Sequence, residues 1–376
     1  MGINRRFIGA RERLSRELAA KTDFLGSTIP LINQGKVIPI ISNSFRIEQI
    51  FQEEREITER IEDVQQHSNN DLTIEEQLTK EWAESEEVEY PMPDKYNLAR
   101  IAQYHLVETK DNFQARADYI NFLKKFLLAM TQDDKEYGDL VDTLNKQVNE
   151  LHFSEIVRQL DYPRFSQGIE DPLRLLARLP LPIYITTSYY DFLERALEAE
   201  GKKPVMQVCF WSGGRAGAKT EHLADPEFLP SPTSPAVYHL FGLEDYPQTL
   251  VLSEDDYMNF LISVVEDTNT QNPIVSLKLR EALADLRLLL LGYQLRDWDF
   301  RVLFKFIAKF RNEALSPRGM VIQLKPDRKR IGDEEKARKY LSDYFDRKSF
   351  HFEWTDTESF MQRLWDEWNK YRRDQA

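Results

Sequence analysis

Residues 288–300 read LLLLGYQLRDWDF, and this stretch decides the fold. Leu288–Tyr293 is a short, continuously apolar run, which is typical of a β-strand buried on both faces of a parallel sheet. Gly292 allows a close backbone approach where the strand ends, and a helical pattern follows over Phe300–Phe310. The stretch therefore predicts one strand of a parallel sheet and the helix that covers it.

Six further runs have the same character and complete the predicted sheet. They are Val37–Ile41, Ile183–Thr187, Val205–Phe210, Ala236–Phe241, Met320–Leu324 and Ser349–Trp354. Helical patterns alternate with most of them, which indicates a Rossmann-like α/β fold, a doubly wound parallel sheet that binds ligands at the carboxyl ends of its strands. We place an N-terminal helical segment at 1–36, the Rossmann domain at 37–325, and a C-terminal strand and aromatic helix at 326–376.

The interval between the first two runs is too long for one crossover helix and predicts a large inserted helical subdomain at about 46–179. Its acidic part, 53–89, is a solvated face or a surface for a partner. Near the end of the chain, the spacing of large apolar residues over Phe360–Trp368 places them on one stripe of a helix. That stripe indicates either core packing or an oligomer interface.

Composition narrows the classes of function. Lys plus Arg number 50 against 63 for Asp plus Glu, and the resulting charge of −13 argues against general nucleic-acid binding. The single cysteine, Cys209, excludes an intramolecular disulfide and a multi-thiolate metal site, so we expect a cytoplasmic protein without a metal. We expect no signal peptide, because residues 1–20 carry five arginines and no apolar h-region. We expect no membrane span, since no apolar run approaches about 18 residues.

Glycine is scarce, at 14 of 376 residues, and this bears on phosphate binding. Neither G-x-G-x-x-G nor G-x-x-x-x-G-K-[ST] occurs, although loops that hold phosphates usually need glycine. An ordinary dehydrogenase or P-loop ATPase is therefore not expected.

Two of the predicted strand ends carry hydroxyl-rich loops. Ser42, Asn43 and Ser44 follow the first strand, where they either cap the next helix or meet a phosphate at its N-terminus. After the second run, Ser188 and Asp191 have the spacing of a capping box. Capping leaves the two hydroxyls and two tyrosines at this strand tip without an explanation.

Two further strand ends carry candidate chemical groups. His239, near Gly242, is a candidate general base or a hydrogen-bonded core residue. The next segment, Leu250–Tyr257, predicts a short strand that leads into a capped helix, with an acidic cluster that suits the helix dipole better than a metal. After Gly292, the loop offers Arg296 for an anion and Asp297 as a helix cap.

These four loops, in this order, resemble the sirtuin-like NAD-binding domain of bacterial antiphage defence systems. The resemblance spans roughly residues 30–325, and its most specific parts are Thr186–Glu194 and Leu291–Phe300. It implies a domain that hydrolyses NAD+ at the nicotinamide glycosidic bond when infection is sensed. Without a four-cysteine zinc site, the chain does not resemble the deacetylases of the wider family.

The resemblance also implies roles for individual residues. The residues implied to hold NAD are Ser42, Asn43, Ser44, Thr187, Tyr189, Gly242, Gly292, Tyr293, Gln294 and Leu295. The catalytic candidates are Ser188 and His239.

Three departures from the family pattern affect the predicted activity. Ser42-Asn43-Ser44 replaces a glycine-rich loop, Ser188 stands where active members have asparagine, and Phe241 stands where they have the basic histidine. His239 lies two positions earlier, on the same strand face and about 6–7 Å away. Phenylalanine cannot accept a proton and serine cannot present an amide.

We therefore expect a catalytically degenerate module that binds NAD, a related nucleotide or a protein partner within a defence or signalling assembly, and that forms a homo-oligomer. The alternative is an active NAD+ glycohydrolase that depletes NAD+ on infection. A purely structural, oligomer-forming subunit is a third hypothesis.

Overall fold

One parallel sheet organises the computed structural model, whose described residues are 24–51, 72–132, 134, 136–165, 168–212, 227–267, 273–294, 297–311, 316, 319–323 and 332–375. Seven strands pair in parallel throughout this described part. They are β1 (Val37–Ile41), β2 (Ile183–Thr186), β3 (Val205–Val208), β4 (Ala236–His239), β5 (Arg287–Tyr293), β6 (Gly319–Gln323) and β7 (Phe350–Trp354). The predicted doubly wound α/β fold is confirmed.

The strand order is β3-β4-β2-β1-β5-β6-β7, with β1 between β2 and β5. Strands β2, β3 and β4 lie on one side of β1, and the later strands β5, β6 and β7 lie on its other side. At such a reversal the connections leave β1 and β5 in opposite directions, which opens a crevice at their carboxyl ends. The strand order thus predicts where a ligand would bind.

Helices cover the sheet and occupy the long interval after β1. The described helical residues 24–33 are labelled α1. The others are α2 (Ser44–Ile50), α3 (Ile74–Glu84), α4 (Leu98–Thr109), α5 (Asn112–Thr131), α6 (Gly138–Lys146), α7 (Phe153–Gln159), α8 (Pro172–Arg178), α9 (Phe192–Ala199), α10 (Glu254–Glu266), α11 (Leu277–Asp285), α12 (Trp298–Phe310), α13 (Glu334–Asp346) and α14 (Thr357–Gln375). Helices α2 to α8 all lie between β1 and β2 in the sequence.

Ion pairs with little solvent exposure hold the inserted helices to one another and to the Rossmann part. Arg116 of α5 contacts Asp256 of α10 at 2.5 Å, and both side chains are buried. Arg46 of α2 makes a two-pronged contact with Asp171, which also caps α8. Breaking a buried pair by removing one partner costs about 3–5 kcal/mol, so Arg116 and Asp256 hold the insertion firmly in place.

The aromatic stripe of the last helix packs into the core. Phe360, Met361, Leu364 and Trp368 of α14 are buried, and the helix lies against α8. Core packing therefore accounts for the stripe, while the homo-oligomer stays a prediction. No described helix is both long and apolar enough to cross a bilayer.

Two local predictions need correction. Leu250–Leu252 is buried but is not a strand, and it makes one ladder-like bond, from the Val251 N–H to the Phe241 carbonyl. The capping box that follows is present between Ser253 and Asp256. Ser188 does not cap a helix, because Asp191 is the N-cap residue of α9. Asp297 is the N-cap residue of α12 as predicted, but its side chain makes no capping hydrogen bond.

Gly292 makes the close approach of β1 and β5 possible. It has a φ of +80°, and a Cβ at this position would lie 2.5 Å from the Ser42 Oγ atom. The Ser42 hydroxyl is held there because it donates to the Gly292 carbonyl (2.9 Å) and accepts from the Phe45 N–H (3.0 Å). A side chain on residue 292 would displace a hydroxyl that has two partners.

We expect Gly292→Ala to lower the free energy of unfolding by about 3 kcal/mol, since it adds overpacking to left-handed backbone strain. Gly201→Ala is the matched control, because Gly201 has a φ of +76° with no atom within 4 Å of the added Cβ. Its cost is about 1 kcal/mol, from backbone strain alone. Urea denaturation of both variants measures the difference, and equal losses would contradict the packing argument.

Candidate functional site

A cavity of about 170 Å³ lies at the carboxyl ends of the central strands, where the strand order predicts a crevice. Each of the four predicted loops contributes to its wall. The contributing residues are Asn43 after β1, Thr187 and Tyr189 after β2, Phe241 after β4, and Gln294 after β5. The structure therefore brings the four strand ends together at one site.

The inserted helices and two helices of the Rossmann part complete the wall. The residues from the insertion are Thr73, Glu75, Glu76, Thr79, Tyr96, Asn97, Leu98 and Ala99. Those from the Rossmann part are Tyr257, Asp297, Trp298 and Asp299. Among these described residues there are four carboxylates and no Lys, Arg or His, so the cavity is acidic.

Beneath the cavity, hydrogen bonds between neighbouring strand ends make a fixed base. The Ser42 N–H donates to the Leu291 carbonyl, and the Thr187 N–H donates to the Ile41 carbonyl, both at 3.0 Å. The Thr187 hydroxyl is 3.1 Å from the Tyr293 hydroxyl, and both residues are buried. Ser42, Gly292 and Tyr293 thus support the site from below, although they do not line it.

The first loop uses its polar groups internally, as the capping interpretation expects. The Ser42 hydroxyl accepts the Phe45 N–H at the start of α2, and the Ser44 hydroxyl donates to the Glu75 carboxylate at 2.6 Å. A phosphate at this loop would have to displace that carboxylate. Only the buried Asn43 side chain keeps an atom, Oδ1, without a hydrogen-bond partner among the described residues.

His239 does not reach the cavity. Its side chain is fully buried, 2.8 Å from a Glu194 carboxylate oxygen through Nε2 and 3.1 Å from the Ser188 carbonyl through Nδ1. Burial lowers the pKa of His239, but the Glu194 carboxylate and the Ser188 carbonyl together raise that pKa above its ordinary value. A histidine with both nitrogens engaged holds the loop after β2 against α9.

Two other predicted residues, Ser188 and Gly242, also lie outside the lining. The Ser188 hydroxyl accepts the Tyr190 N–H. Gly242, at a φ of +90°, packs so closely on Thr249 that a Cβ would lie 2.4 Å from its backbone. Leu295 and Arg296 lie outside the described residues.

Two carboxylates that were not predicted as site residues, Glu75 and Asp299, face the cavity. Burial, followed by the nearby Glu75 carboxylate, raises the pKa of Asp299 to about 7, although the Phe300 N–H donates to it. Burial and the charges of Asp299 and Glu75 also raise the pKa of Tyr189 and of Tyr257. These four side chains form one electrostatically coupled group.

The sequence held a signal for one of these carboxylates. Asp299 belongs to the D-x-D-F pattern at 297–300, next to the strand that decides the fold. Glu75 has no such signal, because it begins a helix of the insertion and reaches the sheet edge only through tertiary packing.

A family model described as SIR2-like domain matches residues 182–347, from the start of β2 to the end of α13. Over these residues the chain is similar to a SIR2-like domain. The resemblance deduced from the loops is thereby confirmed. The matched part of this domain supplies the cavity residues from Thr187 to Asp299, while Asn43 and the inserted helices lie before it.

Two relatives support the same assignment. The chain is 26% identical over 151 residues to NAD(+) hydrolase ThsA of Acinetobacter baumannii, which is 39% of this chain and 29% of the relative. It is 28% identical over 118 residues to NAD(+) hydrolase ThsA of Bacillus cereus, which is 31% of this chain and 21% of the relative. The chain thus spans less than a third of the length of each relative.

The residues present fit one end of NAD better than the whole dinucleotide. Sites for drug-sized ligands usually measure about 300–1,000 Å³, whereas a cavity of about 150 Å³ holds one aromatic ring. The volume of about 170 Å³ and the aromatic wall therefore suit a nicotinamide-sized ring. Asn43 also lines the cavity, and its buried Oδ1 atom has no hydrogen-bond partner among the described residues.

We expect His239→Ala to lower the free energy of unfolding by about 3–5 kcal/mol, because it leaves Glu194 buried and unpaired. His152→Ala is the control, since that side chain is 47% exposed and its loss should change stability by less than about 0.5 kcal/mol. Chemical denaturation compares the two variants. A stable His239→Ala protein would contradict the structural role.

Asp299 should make stability depend on pH. Burial raises its pKa to about 7 in the folded protein. The contribution of Asp299 to the free energy of unfolding is therefore fully present below its unfolded pKa, near 4, and is lost as pH rises through about 7. At pH 8, Asp299→Asn should therefore be more stable than the wild type, by on the order of 2–4 kcal/mol.

Thermal unfolding from pH 4 to 8 measures the effect of Asp299→Asn. Asp142→Asn, at an exposed carboxylate of α6, is the control and should leave the profile unchanged. Parallel profiles for the wild type and Asp299→Asn would show that Asp299 ionises normally.

Proposed function

We propose that the chain is a sirtuin-like module of a prokaryotic antiphage immunity or signalling assembly, and that its cavity binds the nicotinamide end of NAD or a related nucleotide. In this proposal the module is catalytically degenerate, acts in the cytoplasm and works with a protein partner or a second copy of itself. The SIR2-like match and the two relatives named NAD(+) hydrolase support a function that involves NAD.

The observation that carries the proposal is the position of the cavity. It lies at the reversal of strand order and takes residues from the loops that follow β1, β2, β4 and β5. Doubly wound folds bind nucleotides at such a crevice. The buried Asn43 Oδ1 atom, with no partner among the described residues, is the kind of group that a bound ligand satisfies.

The absence of a histidine from the described cavity wall supports degeneracy. Phe241 occupies the wall where the resemblance implies the base, and a benzene ring cannot accept a proton. His239 lies behind the wall and is engaged by Glu194 and the Ser188 carbonyl. The protein therefore lacks the usual histidine route at this site.

The carboxylates favour hydrolysis of NAD+ as a second candidate function. In that reaction the bond between the ribose C1′ and the pyridinium nitrogen breaks, its electron pair leaves with neutral nicotinamide, and water adds to C1′. Asp299 or Glu75 would accept the proton that the water loses. Their position in the cavity wall is the specific observation that supports this alternative.

Incubating the purified chain with NAD+ tests both functions. We expect saturable binding by calorimetry and no release of nicotinamide by chromatography. Asn43→Ala should weaken NAD+ binding about tenfold, which corresponds to one lost hydrogen bond of about 1.4 kcal/mol. Asn145→Ala, at an exposed position on α6, is the control and should bind normally.

Turnover that is lost in Asp299→Asn but kept in His239→Ala would favour the hydrolase and contradict degeneracy. If neither binding nor turnover occurs, alone or in a phage-infected lysate, the proposal of a nucleotide site is wrong. A scaffold would then be the remaining hypothesis.

A further inference from the structure

We propose that two copies of the chain associate through helix α10, which packs antiparallel against its counterpart about a two-fold axis. The contact surface is the outer stripe of this helix, called here the α10 stripe and formed by Asp255, Met258, Ile262 and Val265. The inference identifies a surface for the second copy that the proposed function includes, and it does not depend on nucleotide binding.

The α10 stripe exposes apolar side chains in a regular helical pattern. Met258, Ile262 and Val265 are 47%, 52% and 65% exposed. Together with Asp255 they are spaced three, four and three residues apart, which places all four on one side of the helix. The same spacing forms the seam between two helices that pack at a small crossing angle. A contiguous exposed stripe of this kind indicates a surface for another protein.

The opposite side of α10 already belongs to the core of the protein. Tyr257, Phe260 and Val264 are buried there, and the Phe260 ring packs against Phe241 and Phe306. A helix at the surface of a globular protein normally has a polar outer side, whereas a helix that is apolar on both sides is normally covered. The composition of α10 is therefore that of a helix between two layers.

Apolar surface continues beyond both ends of the stripe. Val107 of α4, which is 57% exposed, lies one helical turn after Gln103, whose side chain makes hydrogen bonds with Asp255. Leu277, at the start of α11, is 55% exposed, and the N–H of Ile274 just before it donates to the carboxylate that follows α10. The contact area thus extends beyond a single helix, as a specific interface between two proteins requires.

The charges along α10 favour the antiparallel orientation. A parallel pair would place exposed Asp255 against Asp255 of the second copy and exposed Glu266 against Glu266, and like charges repel. An antiparallel pair brings Asp255 to the far end of the other α10, where Lys309 donates to the carbonyls of the last helical turn. It also sets Glu266 beside the neutral Asn259.

This charge pattern identifies a second copy as the occupant. A two-fold contact uses the same patch on both subunits, so the patch must complement itself. The α10 stripe has an acidic residue at one end, an apolar centre, and Lys309 at the other end. Tyr257, on the inner side of the same helix, lines the cavity, so association would also support one wall of that cavity.

Sedimentation of the whole chain at concentrations up to about 100 μM tests the association, because interfaces of modest area bind with micromolar affinity. We expect a dimer. Ile262→Glu should raise its dissociation constant about tenfold or more, since it places two like charges near the two-fold axis. Ile169→Glu is the matched control, because Ile169 is 46% exposed and lies outside the stripe, and this variant should dimerise normally.

Disulfide crosslinking tests the orientation. In the antiparallel pair Met258 faces Val265 of the second copy, and it lies about 10 Å along the helix from its own counterpart, which is too far for a disulfide. Under mild oxidation, Met258→Cys and Val265→Cys should therefore crosslink when mixed, and neither should crosslink alone. The native Cys209 is buried and gives no background.

The outcomes separate this inference from the proposed function. A wild-type chain that stays monomeric over the whole concentration range would overturn the dimer, and its binding to vesicles of phosphatidylcholine and phosphatidylserine would assign the stripe to a lipid surface instead. A dimer that is unaffected by Ile262→Glu, or single variants that crosslink alone and not when mixed, would also contradict the inference. A monomer that binds NAD+ would leave the nucleotide site intact, whereas a dimer that binds no NAD+ would contradict only that site.

Discussion

The close contact between the ends of β1 and β5 is the constraint on which the site depends. The Ser42 hydroxyl lies against the backbone of Gly292, where even a methyl group would not fit. This contact fixes two strands at the point where the strand order reverses, so the loops that follow them leave in opposite directions. The cavity between those loops follows from that geometry, and its base is held by hydrogen bonds between buried neighbours.

The inserted helices change the chemistry of this crevice. Buried Arg116 and Asp256 hold the insertion on α10, and α3 then brings its first turn, with Glu75, over the carboxyl ends of the strands. An anion site of the usual kind relies on free N–H groups at a helix start. Here the Phe45 N–H donates to the Ser42 hydroxyl, the Ser44 hydroxyl donates to Glu75, and the wall is acidic. The crevice at this edge of the sheet therefore suits a part of a nucleotide other than its phosphates.

The departure at the histidine position also has a physical explanation. Phe241 contributes to a cluster with Tyr257 and Phe260, and it seals the wall beside β4. His239 occurs within the strand, two positions earlier, and there its imidazole ring has hydrogen-bond contacts with Glu194 and the Ser188 carbonyl. Burial with a carboxylate makes His239 part of the core, and its ring contributes to stability rather than to a reaction at the cavity.

The apolar runs by themselves determined the strands, because continuous hydrophobic segments of this length are stable only when both faces of a sheet are covered. The loop residues and their order likewise indicated the sirtuin-like fold and the edge of the sheet that carries the site. Tertiary structure alone decided which side chains enter the cavity. Whether Asn43 lines it while Ser188 turns away depends on local hydrogen bonds. The meeting of Glu75 with Asp299 depends on packing between segments more than 200 residues apart, and no local pattern encodes such a contact.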